Sequence, residues 1–156
     1  IRKNITIEGA LAAAKRIKKH GIRLSCFFMV GFPQETEESL NQTIRAMKKI
    51  KCDSLVYSIF NPYPGTEAFD YCLQKGLIDQ DIDLSLYSHQ SSESFFIENM
   101  DYGRFREMAS SVEAMVDRKN RINNFRRNFS LATLDRARKM GLWASLKRAK
   151  EVVSGA

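Results

Sequence analysis

Between Ile22 and Val30 the chain first alternates between apolar and polar positions and then becomes apolar at every position, Cys26-Phe27-Phe28-Met29-Val30. A strand of that kind needs cover on both faces, which is what a parallel sheet with helices packed on it provides. Leu55 to Phe60 reads as a second strand, starting 33 residues after the first. The segment between them reads as a helix. Thr36 caps it, Glu37 and Glu38 occupy its first turn, Leu40, Ile44 and Met47 share one face, and Arg45, Lys48, Lys49 and Lys51 cluster near its end. Strand, helix and strand at this spacing predict a right-handed parallel βαβ unit, and hence an α/β fold.

The flanking pattern extends the unit. Thr6 caps a helix that runs to about His20 and stops at Gly21, with Leu11, Ala14 and Ile17 on one face. A third helix spans Glu67 to Lys75 and ends at Gly76. Residues 77 to 93 read as a loop with a short helical turn, and Ser94 to Glu98 as a short strand. Asp101 caps a long helix with Phe105, Met108, Val112 and Met115 on one stripe, continuing past Ile122 toward Phe129. Two further helical segments are expected, between Ser130 and Gly141 and from Leu142 to Val153. The composition changes near residue 100, so residues 1–100 are expected to form an α/β part and 101–156 a helical extension.

At 156 residues the chain has the length of one domain, and 44% apolar with 28% charged residues suits an ordinary globular core. No apolar run approaches the roughly 20 residues of a membrane span, and no signal-type stretch follows the first residues. The chain begins Ile1-Arg2-Lys3-Asn4 rather than with Met, and is expected to be a piece of a longer protein. Three widely spaced cysteines, Cys26, Cys52 and Cys72, offer neither a disulfide framework nor a local ligand set. They read as small buried hydrophobes of a protein kept in a reducing cytoplasm. The net charge of +7 is unevenly placed: residues 1–102 carry −1 and residues 103–156 carry +8.

Candidate chemistry falls at the carboxyl ends of the two strands, where parallel α/β folds bind ligands. The loops Gly31-Phe32-Pro33-Gln34-Glu35-Thr36 and Asn61-Pro62-Tyr63-Pro64-Gly65-Thr66 would emerge side by side. A flat apolar ligand could rest on Phe28, Val30 and Phe60, with Gly31 permitting close backbone approach and Glu35 or Asn61 supplying a directed polar contact. The same loops can equally serve as rigid turns that stop strands.

Phe28-Met29-Val30-Gly31-Phe32-Pro33-Gln34-Glu35-Thr36, followed by Asn61-Pro62-Tyr63-Pro64-Gly65-Thr66, resembles the C-terminal half of the core of radical S-adenosylmethionine (radical SAM) enzymes. In that family the fifth strand ends in a phrase close to I-x-G-x-P-G-E-T and the sixth leads into P-x-P-G-T. Gln34 stands where the family usually has glycine, and no C-x-x-x-C-x-x-C segment for a four-iron four-sulfur cluster is present. The resemblance, over residues 1 to 78, implies a fragment of a (β/α)6 partial TIM barrel followed by a helical region. It implies that Phe28, Val30 and Gly31 line the adenine and ribose side of S-adenosylmethionine, and that Phe60, Asn61 and Pro62 close over the adenine. Glu35 and Thr66 are expected to organise the loops through bonds to backbone amides. No catalytic acid or base and no metal ligand is assigned to this chain. The cluster and S-adenosylmethionine would belong to the longer parent, which would act on a small-molecule substrate, and the fragment alone is expected to be inactive.

The tail bears on the subclass. Enzymes of the family that thiolate transfer RNA share the strand-end motifs but usually continue into a small β-rich RNA-binding module. The helical pattern after residue 101 is more similar to the subgroup with a cobalamin-binding domain, so cobalamin is a further expected cofactor of the parent. Arg118 to Arg148 holds ten Lys or Arg against one acid, Asp135, with Phe125, Phe129 and Trp143 interleaved. That composition fits either a nucleic-acid footprint through Arg126, Arg127, Arg136 and Arg138 or a solvated face of a helical pair, and the second is favoured because the aromatics fall near helical spacing. A nucleic-acid-binding module without enzymatic activity is therefore the alternative from another class. The fragment is also expected to self-associate through the strand edge nearest Ile22 to Val30.

Overall fold

A computed structural model describes residues 5–88, 91–128, 138, 139 and 141. The chain divides into two compact units, residues 1–120 and 121–156. The first unit contains α1 (Ile7–Lys19), β1 (Ser25–Val30), α2 (Glu37–Lys49), β2 (Ser54–Ile59), α3 (Glu67–Gln74), a 3-10 turn at Leu84–Leu86 and most of α4 (Tyr102–Asn128). Its fold is α/β, and the strands pair in parallel from Ser25↔Ser54 to Val30↔Ile59, joined by α2 as a crossover.

Local chemistry explains the helix starts. Thr6, Thr36 and Thr66 each adopt extended backbone, and each accepts an amide hydrogen three residues on, from Gly9, Ser39 and Phe69. At α2 the bond is reciprocal, because the Ser39 hydroxyl accepts from the Thr36 amide at 2.9 Å. Asp101 accepts the Arg104 amide at 3.1 Å at the head of α4. At the other end of α1, Gly21 takes φ +70°, the left-handed turn expected of the stop residue.

One core joins Val30, Leu40, Met47, Leu55, Tyr57 and Ile59 to the α4 stripe Phe105, Met108, Ala109, Val112 and Val116. Thus the long helix packs against the same face of the sheet that α1 and α2 reach through Ala14, Leu40 and Met47. A second cluster, at the carboxyl ends of the strands, joins Phe60, Phe69, Cys72, Ile78 and Phe96, with Phe32 and Tyr87 packed against it.

Two expectations are corrected. The sheet is not covered on both faces: Cys26, Phe28 and Val30 pack into the core, whereas Ser25, Phe27 and Met29 are exposed, Phe27 by 76%. The helices reach the sheet through this one core, and on the other face Ser25, Phe27 and Met29 of β1 are exposed while Ser54, Val56 and Ser58 of β2 are half-buried. Ser94 to Glu98 is not a strand. Phe96 and Ile97 anchor it in the two different clusters, and the Glu98 amide donates to the Pro33 carbonyl at 2.9 Å, so the segment crosses the strand-end loop instead of joining the ladder. The cysteines behave as packed thiols. Cys52 and Cys72 are buried and Cys26 half-buried, and burial pushes Cys26 and Cys72 up to about 11. The helical segments expected between Ser130 and Gly141 and from Leu142 to Val153 lie outside the described residues except at 138, 139 and 141, as do Phe129, Asp135, Arg136, Trp143, Lys147 and Arg148.

Candidate nucleoside shelf at the strand ends

The two strand-end loops are neighbours. The Phe60 amide donates to the Val30 carbonyl at 2.8 Å, extending the ladder by one bond into both turns. Beyond it the rings of Phe32 and Phe60 lie 4.9 Å apart at 32°, and Phe96 meets Phe60 edge-on at 6.4 Å.

The first loop is held by its own carboxylate. Gly31 turns with φ +87°, and its amide donates to the Glu35 carboxylate at 2.5 Å. The Glu35 amide in turn donates to the Phe32 carbonyl at 2.9 Å. Burial raises the Glu35 pKa, partly offset by the bonds from the Gly31 and Phe32 region. Side chains, not open space, fill the volume beside Gly31: a Cβ there would stand 3.3 Å from both Ile59 and Phe105. Glycine is thus required by both the positive φ and the approach of α4.

The second loop is organised by Thr66, whose hydroxyl donates to the Tyr63 carbonyl at 2.7 Å while accepting the Phe69 amide at 3.2 Å. Asn61 is buried and its side-chain amide donates to the Ile59 carbonyl at 3.3 Å. Pro62 is fully buried.

The structure therefore brings Val30, Gly31, Glu35, Phe60, Asn61 and Pro62 together at one end of the sheet, but it distributes their side chains unequally. Phe28 and Val30 face the helix-covered core, and Phe60 lies beneath Phe96. What faces outward on the same strands is Phe27 and Met29. Five consecutive apolar residues carry no alternation from which to choose a face, so the sequence had no means of preferring Phe27 and Met29 over Phe28 and Val30.

The opposite end of the sheet is fastened by polar bonds that the sequence reading missed. Asn120 accepts the Leu55 amide at 2.8 Å and donates to the Leu55 carbonyl at 2.8 Å, so one side chain substitutes for a neighbouring strand. Lys119 donates to the carbonyls of Met47, Lys48 and Ile50 at 2.6, 3.2 and 2.7 Å, closing the end of α2. Asp53 binds Lys18 at 2.6 Å and accepts the Leu24 amide at 2.8 Å. Burial alone would raise the Asp53 pKa, but these bonds outweigh it and hold the carboxyl below the usual range. The missed signal lay in α4, where Lys119 and Asn120 occupy the next positions of the stripe formed by Phe105, Met108, Val112 and Val116.

Among the described residues no group of three or more His, Cys, Asp or Glu side chains is placed to hold a metal ion. Cys26 and Cys52 are neighbours in the main core whereas Cys72 lies in the second cluster, so the three thiols do not form one ligand set. No described helix is long and apolar enough to cross a membrane.

No protein-family model matches the chain. It is 37% identical over 78 residues to an uncharacterized methyltransferase of Pyrococcus horikoshii, covering 50% of this chain and 17% of that protein. It is 34% identical over 73 residues to a tRNA-2-methylthio-N(6)-dimethylallyladenosine synthase of Treponema pallidum, covering 46% and 16%. An enzyme of the same name from Yersinia enterocolitica matches at 25% over 130 residues, 74% of this chain and 26% of the relative. The chain thus spans between a sixth and about a quarter of the length of these relatives, which are enzymes of methyl or methylthio transfer by name. Nothing in those names supports the cobalamin-associated subgroup.

Proposed function

We propose that this chain is the C-terminal half of a radical SAM core, contributing one side of an S-adenosylmethionine site to a longer enzyme of methyl or methylthio transfer. The observation that carries the reading is the pairing of the two loops: one ladder bond from Phe60 to Val30 and one ring contact from Phe32 to Phe60 make a single continuous surface of two turns. Similarity to a methyltransferase and to tRNA methylthio-transfer enzymes supports it.

In this reading the residues act by position. Glu35 fixes the Gly31 turn, Thr66 fixes the second turn, and the aromatic cluster keeps water from the strand ends. Exposed apolar Phe27 and Met29 form the floor toward the sheet's open face, half-buried Phe28 and buried Val30 hold the strand to the core behind it, and buried Phe60 packs in the strand-end cluster. S-adenosylmethionine supplies a sulfonium whose methyl or adenosyl group can be transferred; no acid or base in this chain is needed for that chemistry. The uncovered face is the side on which further strands of a partial barrel would close the site.

Anaerobic reconstitution of the longer protein with iron and sulfide, followed by assay of 5'-deoxyadenosine and of methyl transfer from labelled S-adenosylmethionine, tests the proposal. Either product supports it. Reconstituted protein that neither binds nor cleaves S-adenosylmethionine overturns it.

A second reading concerns RNA. Arg121, Arg126 and Arg127 are exposed on α4, and two of the relatives described above carry tRNA in their names. In this reading the basic helix contacts phosphates, and RNA affinity falls steeply with salt. Absence of binding to tRNA at low salt removes it.

A further inference from the structure

Phe95 to Glu98 cross the strand-end loops, and successive residues are fastened to different parts of the structure there. The Phe95 ring lies 5.6 Å from that of Phe105, the side chain that stands beside Gly31. Phe96 meets Phe60 edge-on, and Ile97 is buried in the main core. Glu98 ends the crossing, with its amide donating to the Pro33 carbonyl at 2.9 Å.

The Glu98 side chain makes a second connection. Its carboxylate accepts a hydrogen bond from the Tyr71 hydroxyl and pairs with the Lys75 ammonium at 3.4 Å. Lys75 also lies 5.5 Å from the centre of the Tyr71 ring. Gln34, in the first loop, bonds the same Tyr71 hydroxyl through its side chain. Tyr71 lies in α3, which is capped by Thr66, the last residue of the second loop. Pro33, Glu98, Tyr71 and Gln34 therefore close a circuit that leaves the first loop through a backbone bond, passes through the helix growing out of the second loop, and returns one residue further on. The ladder bond from Phe60 to Val30 fixes where the two loops leave the sheet. The circuit fixes the far side of the first loop against the helix that follows the second.

We propose that Glu98 is a positioning residue of the nucleoside shelf: acting through Tyr71, it holds Pro33 and Gln34 against α3 and so sets the separation of the two loops before a ligand arrives. A carboxylate acceptor makes the Tyr71 bond one of the stronger kind, and a shelf held at its binding separation spends less free energy on ordering when it is occupied. Lys75 is accessory, because its ion pair is half-exposed. The inference rests on the nucleoside reading for the identity of the ligand, whereas the circuit itself does not.

The longer protein carrying Tyr71→Phe, Glu98→Ala or both tests it, with S-adenosylmethionine as the titrant and hydrogen exchange as a readout that needs no ligand. Each single variant is expected to raise the dissociation constant for S-adenosylmethionine about tenfold, the size of one bond to a charged acceptor. The double variant is expected to stay within about twofold of the weaker single, because both changes remove the same connection. Glu98→Gln, which keeps an oxygen for the Tyr71 hydroxyl, is expected to recover most of the loss, and Lys75→Ala to change affinity by less than about twofold. Turnover at saturating S-adenosylmethionine is expected to be unchanged in Tyr71→Phe, which separates a displaced loop from a partly unfolded enzyme. In the same variant the peptide covering residues 31–36 is expected to exchange about fivefold faster, with the peptide carrying Leu55 unchanged. Wild type that binds S-adenosylmethionine while the variants bind equally well, or losses that add in the double variant, overturn the inference and leave the nucleoside reading standing. Wild type that binds none overturns that reading and the positioning role with it, and unchanged exchange at residues 31–36 overturns the inference whatever the titration shows.

Discussion

The two ends of the sheet are built from different materials. At the amino end, side chains from α1 and α4 grip backbone and carboxylate directly: Lys18 on Asp53, Lys119 on three carbonyls, Asn120 on Leu55. At the carboxyl end the chain mostly turns on itself, with Glu35 holding Gly31 and Thr66 holding its own loop, and beyond the bonds that Glu98 makes with Pro33 and Tyr71 the rest is largely aromatic packing. An end fixed by bonds from other elements is anchored regardless of any ligand. An end fixed by local turns and apolar rings can present backbone and ring surface to one, and the proposed function resides there.

The comparison can be broken most forcefully at Phe105, the side chain through which α4 reaches the carboxyl end beside Gly31. It is wholly buried, and Phe105→Ala is expected to cost about 3–5 kcal/mol in chemical denaturation. Asn120→Ala tests the amino end, since it strands the amide and carbonyl of Leu55; a loss of about 1–3 kcal/mol is expected. If the order of these two losses were reversed, the amino end would carry the fold and the packing of α4 at Gly31 would be secondary.

The two carboxylates predict opposite pH behaviour. Glu35 has a raised pKa, so its contribution to stability is fully present below the unfolded value of about 4.3 and is lost as pH rises through the native value. Asp53 has a depressed pKa, so its contribution is present above the unfolded value of about 3.9 and is lost as pH falls through the native value. Denaturation curves collected against pH are expected to lose the first slope in Glu35→Gln and the second in Asp53→Asn. The smallest effect is expected at Tyr87, whose buried hydroxyl has no hydrogen-bond partner among the described residues. Tyr87→Phe removes a desolvated oxygen without opening a cavity, and its midpoint in denaturant is expected to be unchanged or slightly raised.

How much of this was legible in the sequence depended on how local the cause was. Thr6, Thr36 and Thr66 could be read as caps because each acts on an amide three residues away. The parallel pair could be read because α2 has both its caps and its apolar face in one stretch. The face of β1 could not, because an unbroken apolar run has no period, and only the arrangement of helices on one side decides that Phe27 is outside and Phe28 inside. Asn120 bonds a residue 65 positions away, a contact that no local pattern encodes. The strand expected at Ser94 to Glu98 failed for the complementary reason: its apolar residues serve two clusters, and its backbone bond goes to a loop. At the candidate site the loops themselves were legible from Gly31, Glu35, Asn61 and Thr66, whereas the outward side chains were not.

Photolabelling of the longer protein with an azidoadenine analogue of S-adenosylmethionine tests the central claim most directly. The account predicts that the label, competed by S-adenosylmethionine, falls on peptides containing residues 27–35 or 58–63. Competed label found only on other parts of the protein would contradict it.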